Sequence, residues 1–210
     1  MLNYEELKQA MGDLDEDTVV RIIDEVMADG GKEASQAMAA CQEGLGIVGT
    51  LFEEKTYFIG DLIFAGELMT DAVNKMRSAL VSATANTKPT KMILCTVKDD
   101  LHDIGKNIVR AFLEAAGFEV LDLGIDTPAE TIVDTAVKED IHIVALSGVL
   151  TLAIDSMKEV IDLFTARGIR DRVKIIIGGN PVNAEVCASI GADAWAHSPQ
   201  TTVAFCNSCR

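Results

Sequence analysis

The apolar residues of this chain change period once, at the polar stretch Ser82–Lys91, and that change divides the fold. Before it they recur three or four residues apart, the spacing of helix faces that bury one side. Tyr4, Leu7 and Met11 form one stripe, ended by Gly12. Val19, Ile22, Ile23, Val26 and Met27 form a second, ended by Gly30-Gly31, where glycine suits a left-handed helix end. A third runs from Ala34 through Met38, Cys41, Leu45, Val48 and Leu51-Phe52, and a fourth from about Phe58 to Leu80. Four helices with short connections predict a small bundle over residues 1–83. Residues 84–91, polar and containing Pro89, read as a linker.

From residue 92 to 210 short strand-like runs alternate with helical ones. Strands are predicted at Met92–Val97, Glu119–Leu123, Ile141–Leu146, Val173–Ile177 and Asp193–Ala196, with helices at 104–116, 128–138, 152–166 and 182–189 and a short one at the end. Thr127-Pro128-Ala129-Glu130 has the form of a capping box with proline in the first turn. Nearly continuous apolar strands separated by helices imply an α/β fold, a parallel sheet covered on both faces. The common five-stranded arrangement has order 2-1-3-4-5, and ligands bind outside the carboxyl ends of its strands, near the switch point between strands 1 and 3.

Three loops should converge there. The first holds Asp99-Asp100-Leu101-His102-Asp103-Ile104-Gly105, the second Ser147-Gly148-Val149-Leu150-Thr151, and the third Gly178-Gly179-Asn180-Pro181. A histidine in a strand-to-helix loop can offer one ring nitrogen to a metal while an aspartate two residues earlier accepts a hydrogen bond from the other. Glycines at 105, 148, 178 and 179 admit a ligand close to the backbone, and Ser147 and Thr151 place hydroxyls at the rim. No phosphate-binding glycine motif follows any strand.

Composition removes other classes. The 18 basic and 33 acidic residues give a net charge of −15, which argues against electrostatic binding of nucleic acid or anionic membrane. No secretory leader or membrane-length apolar run is visible, which predicts a cytoplasmic protein. The five cysteines are scattered and odd in number, and Cys206-x-x-Cys209 stands alone near the chain end, so neither a disulfide framework nor a cysteine metal site is expected.

A helical bundle followed by a flavodoxin-like domain with Asp100-x-His102-x-x-Gly105-x-Asn107, then Ser147, then Gly178-Gly179, resembles the corrinoid (vitamin B12, cobalamin) binding proteins of methyl-transfer systems. The run Gly49–Phe58 resembles the start of that family's cap helix. The resemblance implies a methyl carrier, not a catalyst by itself, that binds cobalamin with His102 as the lower cobalt ligand and Asp100 holding the imidazole. Asp99, Leu101, Asp103, Ile104, Gly105, Ser147, Val149, Thr151, Gly178 and Gly179 would contact the cofactor and its displaced nucleotide tail. Phe58, Leu62, Leu68 and Met69 would contact it from the cap, which would swing aside on the linker for transfer.

Implied partners are a substrate-specific methyltransferase, a second methyltransferase that passes the methyl group to tetrahydrofolate or coenzyme M, and a reductive activase. Two departures from the family pattern stand out: Val149 replaces a leucine, and Ala153 stands where a hydroxyl residue extends the histidine–aspartate chain in methionine synthase. The alternatives are a cobalamin-dependent sensor and the cobalamin subunit of a mutase. A sensor would carry a DNA-binding module, for which there is no room before Tyr4 or after Cys209; the four-helix cap counts against a mutase.

Overall fold

The computed structural model describes residues 3–83 and 89–210. The chain divides into two compact units, Met1–Lys88 and Pro89–Arg210. Residues 84–88 of the expected linker lie outside the described residues, and Thr90 and Lys91 at its far end already belong to the first strand.

The first unit holds α1 (Tyr4–Gly12), α2 (Glu16–Ala28), α3 (Ala34–Glu53) and α4 (Ile59–Ala83). Asn3 and Asp15 cap α1 and α2 by accepting the backbone N–H groups of Glu6 and Thr18. Leu7, Met11, Ile23, Cys41 and Val48 are fully buried, as their helical spacing requires. Gly44 lets α1 and α3 approach closely, for a Cβ there would lie 2.6 Å from the Lys8 carbonyl oxygen. Gly49–Phe58, expected to open a cap helix, instead covers the end of α3 and the turn after it, and α4 begins at Ile59.

The second unit is a parallel sheet of order β2-β1-β3-β4-β5. Its strands are β1 (Thr90–Val97), β2 (Phe118–Thr127), β3 (Ile143–Ser147), β4 (Lys174–Gly178) and β5 (Ala194–Ala196). Helices α5 (Ile104–Ala115), α6 (Ala129–Lys138), α7 (Ala153–Ala166), α8 (Ala184–Ile190) and α9 (Pro199–Ser208) follow the strands in turn. One face packs Ile93, Cys95, Val144, Leu146, Ile175 and Ile177 against α6, α7 and α8, and the other packs Met92, Leu94, Ala145 and Ile176 against Leu113 of α5 and Cys206 of α9. Strand residues alternate between two buried faces, which is why the runs read as continuously apolar.

The capping-box expectation fails. β2 extends through Thr127, Pro128 is the N-cap of α6 and makes no side-chain cap, and the Thr127 hydroxyl is buried without capping the helix. Strand pairing to β1 claims the backbone that a capping threonine needs free.

Candidate functional site

Thr96, Ser147 and Gly178 lie side by side across β1, β3 and β4, so the loops that follow them share one edge of the sheet. Asp99 opens the first loop at φ +65, a left-handed conformation that aspartate tolerates better than most residues. The chain then turns Asp100 inward, where it is fully buried.

Every acceptor position of the Asp100 carboxylate is used. Oδ1 accepts the His102 backbone N–H at 2.9 Å and the His102 ring Nδ1–H at 3.0 Å. Oδ2 accepts the backbone N–H groups of Val149 at 2.7 Å and Leu150 at 3.0 Å, from the loop after β3. Burial pushes the Asp100 carboxyl pKa up, but the Leu150, His102 and Val149 N–H groups and the imidazole together outweigh it, and the pKa lies below the ordinary carboxylate value. The carboxylate therefore fixes the His102 tautomer with its proton on Nδ1. Nε2 keeps its lone pair and makes no hydrogen bond among the described residues, on a side chain that is about half exposed (53 %).

The glycines separate into two kinds. A Cβ on Gly179, whose φ is +118, would fall 1.9 Å from the Gly148 carbonyl oxygen, and a Cβ on Gly148 would fall 2.4 Å from that of Ala153. Gly179 is required by the packing of the β3 and β4 loops on each other, which the Gly148 N–H to Gly178 carbonyl bond ties together at 3.1 Å, and Gly148 by the packing of its loop on Ala153 and Met157 of α7. A Cβ on Gly105 would meet nothing within 4 Å among the described residues. Nothing in the chain's own packing explains a glycine in the first turn of α5, where alanine is the better helix former, and the open space beside it suits the close approach of a ligand. Around His102 the apolar side chains of Leu101, Ile104, Leu150 and Leu152 are exposed, Leu152 by 68 %. Val149 is exposed at 38 %, Thr151 is exposed, and Ser147 and Gly178 are half-buried at their strand ends. The Asp103 carboxylate accepts from the Asn107 side chain at 3.2 Å.

The remaining expected residues belong to the helical unit. Phe58 is 68 % exposed, whereas Leu62, Leu68 and Met69 are buried. The exposed apolar residues beside Phe58 are Ile59, Ile63 and Phe64. Helical spacing identifies the face a helix buries, and α4 packs on α2 and α3 of the same unit.

Sequence reasoning missed a second layer of polar residues. Thr96 is fully buried and hydrogen-bonds Asp100 and Asp126. Lys106, 2 % exposed, pairs with Asp122 of β2, which also accepts from Arg110 at 3.3 Å and from the Gly124 N–H at 2.9 Å. Burial raises the Asp122 pKa, but Lys106, the Gly124 N–H and Arg110 lower it further, so it lies below the usual range. A signal existed: Lys106 sits seven residues before Leu113, on the apolar face of α5, and Asp122 interrupts an apolar strand. A lysine on one core face and an acid on the next call for each other.

Among the described residues no group of three or more His, Cys, Asp or Glu side chains is placed to hold a metal ion. The site offers one imidazole nitrogen, an exposed apolar rim and one unfilled glycine. That set suits a metal that arrives already held by its own ring and needs a single further ligand.

Comparison with known proteins gives the same class. Two B12 binding domain families match the chain, one over residues 90–204 and the other over residues 4–76. The chain is 32 % identical to dimethylamine corrinoid protein 2 of Methanosarcina acetivorans, over 97 % of this chain and 96 % of that one. Among solved structures, a novel cobalamin-binding protein from Desulfitobacterium hafniense superposes with a TM-score of 0.89 at 45 % identity, covering 99 % of this chain and 98 % of that one. The methanol:cobalamin methyltransferase complex of Methanosarcina barkeri superposes with a TM-score of 0.72 at 25 % identity, covering 97 % of this chain and 78 % of that one.

Proposed function

Since this chain belongs to the B12-binding corrinoid proteins, we propose that it is a methyl carrier that binds a corrinoid through His102 and works between methyltransferases. When bound, the corrinoid supplies a cobalt that takes up and releases a methyl group. The protein's part is to hold that cofactor, supply one axial ligand and keep water away.

The observation that carries this reading is the His102–Asp100 pair, with Nδ1 committed to a buried carboxylate and Nε2 left as a donor. Hydrogen bonding to a carboxylate makes an imidazole a better metal donor, so Asp100 raises the affinity of His102 for the metal. A corrinoid held by His102 would be bound in a base-off, His-on form, with the imidazole in place of the cofactor's own nucleotide base. Asp99, Leu101, Asp103, Ile104 and Val149 contribute the rim around the ligand. Gly105, Ser147, Thr151, Gly178 and Gly179 border the path of the nucleotide tail. From the helical unit, Phe58, Leu62, Leu68 and Met69 are the cap contacts to the cofactor.

With Ala153 in place of a hydroxyl, Asp100 has no side-chain partner beyond His102 among the described residues, and its role is to orient the imidazole. One partner is a substrate-specific methyltransferase, a second passes the methyl group to tetrahydrofolate or coenzyme M, and a reductive activase returns oxidised cobalt to service. The relatives' names point to methylamines and methanol as the class of donor.

The test is to load the full chain with hydroxocobalamin and compare absorption spectra of wild type and His102→Ala. Wild type should take up the cofactor in a base-off, His-on form and the variant should lose the histidine-ligated spectrum. A wild type that takes up no cobalamin overturns the reading, and a variant with an unaltered spectrum overturns the ligand assignment. Methylation of the loaded, reduced protein by candidate methyltransferases with a panel of methyl donors then identifies the substrate.

A further inference from the structure

We propose that the buried hydroxyl of Thr96 is a positioning residue for His102, joining the end of β2 to the histidine-bearing loop and so setting where the imidazole stands. The inference rests on the reading of His102 as the axial ligand.

β1 and β2 do not stay in step. Leu94 pairs with Asp122, Cys95 with Gly124 and Val97 with Thr127, so β2 carries extra residues against β1 and the ladder is interrupted beside Thr96. Irregularities of this kind re-aim a strand end, and they leave backbone groups without their ladder partners. Thr96 fills the gap. Its Oγ1 accepts the Asp126 backbone N–H at 3.0 Å and donates to the Asp100 carbonyl oxygen at 2.6 Å. Asp126 N also lies 3.1 Å from the same carbonyl oxygen, and Asp126 Oδ1 accepts the Asp99 N–H at 2.7 Å. Asp126 adopts φ +51 to do this, facing Asp99 at φ +65. Two left-handed residues on adjacent loops are held against each other by three polar atoms.

Asp100 is thus pinned from both sides. Its side chain is held from the β3 loop by the Val149 and Leu150 N–H groups, and its carbonyl from the β2 end by Thr96 and Asp126. His102 is two residues further along, and its ring is bonded to that same side chain. Losing the Thr96 hydroxyl leaves the Asp100–His102 pair intact while freeing the peptide that aims it. The Thr96 side chain itself is fully buried, so its effect reaches the cofactor through this loop.

The test uses the full chain labelled with 15N-histidine, loaded with hydroxocobalamin and reduced to the cobalt(II) state. Paramagnetic resonance then resolves whether the axial nitrogen is the labelled imidazole, and in what fraction. Wild type should give the 15N splitting; its absence overturns the ligand reading and this proposal with it. Thr96→Val keeps the side-chain shape and removes the hydroxyl, and the ratio of His-on to His-off cobalt should fall roughly fivefold to tenfold, the factor one net hydrogen bond is worth. Thr96→Ser should restore it. Thr96→Val with the wild-type ratio, or with only a lowered urea midpoint, overturns the positioning role and leaves the ligand reading standing. If Thr96→Val does not fold, Thr96→Cys decides the matter. Its thiol keeps the shape of serine but is a much weaker hydrogen-bonding group than the hydroxyl that bonds the Asp100 carbonyl and the Asp126 N–H, so Thr96→Cys should lower the His-on ratio where Thr96→Ser does not; a wild-type ratio in Thr96→Cys overturns the proposal.

Discussion

His102 and His142 make a natural comparison, since both sit at ends of the same sheet, each with a neighbouring aspartate and each with a side chain 53 % exposed. His102 follows the carboxyl end of β1, and His142 precedes the amino end of β3. A cavity of about 80 Å³ even lies beside His142, lined by Phe164, Ile169 and Arg172 among others. The difference is in what the aspartates are bonded to. Asp100 is fully buried and saturated with hydrogen bonds, whereas Asp140 is 77 % exposed and stands 3.5 Å from both His142 Nε2 and Arg172. His142 donates through Nδ1 to the Arg172 carbonyl at 3.1 Å, so both of its nitrogens face protein atoms. A histidine beside a carboxylate and a hollow is therefore not enough. What sets His102 apart is a buried carboxylate that commits one ring nitrogen and spares the other.

The widest gap between the two ends should come from removing the aspartates. Asp100→Ala strands three backbone N–H groups and a ring N–H, a loss of about 2–4 kcal/mol at the usual cost of unsatisfied donors. Asp140→Asn, at an exposed turn position with φ +51 that asparagine tolerates, should stay within about 0.5 kcal/mol of wild type. Urea unfolding followed by the fluorescence of Trp195, the chain's one tryptophan, reports on the sheet unit directly. Equal effects at the two positions would erase the distinction.

Exchanging the histidines themselves should separate binding from stability. His102→Ala should abolish histidine ligation of bound cobalamin while moving the urea midpoint little, and His142→Ala should leave the cobalamin spectrum as in wild type. A spectral change in His142→Ala would place the donor at the wrong end of the sheet. Acid adds a smaller, signed effect. Because the folded Asp100 pKa is lowered, the stability it contributes is present in full above the unfolded aspartate value of about 3.9 and is lost as pH falls through the folded value. The stability gap between wild type and Asp100→Ala should accordingly be constant through neutral pH and narrow below about pH 4. A gap that widens in acid would mean that the carboxyl is not the hydrogen-bonded anion.

These contrasts also explain what could be read from the chain alone. The change of period and the loops after the strands were legible because burial imposes spacing, and Asp100-x-His102 was legible because the pair is local. Thr96 and Asp126 were not: they lie 30 residues apart, and two shifts of register bring them together. The partners of Asp100 in the second loop are the N–H groups of Val149 and Leu150, which have no signature in residue identity. The spacing of Leu62, Leu68 and Met69 is legible as burial, which the three share, and carries no signature of a ligand.

The smallest change tests the most specific claim about the site. Gly105→Ala adds one methyl group where the chain has open space, in the first turn of a helix that follows the His102 loop. Helix propensity predicts that the unloaded protein is unchanged or gains up to about 1 kcal/mol. If that space is kept for a bound corrinoid, the same methyl overfills the contact and weakens cobalamin binding roughly tenfold, within the range of about 1–3 kcal/mol for overpacking. The two measurements thus move in opposite directions at one residue. A stabilised variant that binds as well as wild type would show that the glycine serves neither the fold nor the ligand, and the His102 end would rest on its carboxylate alone.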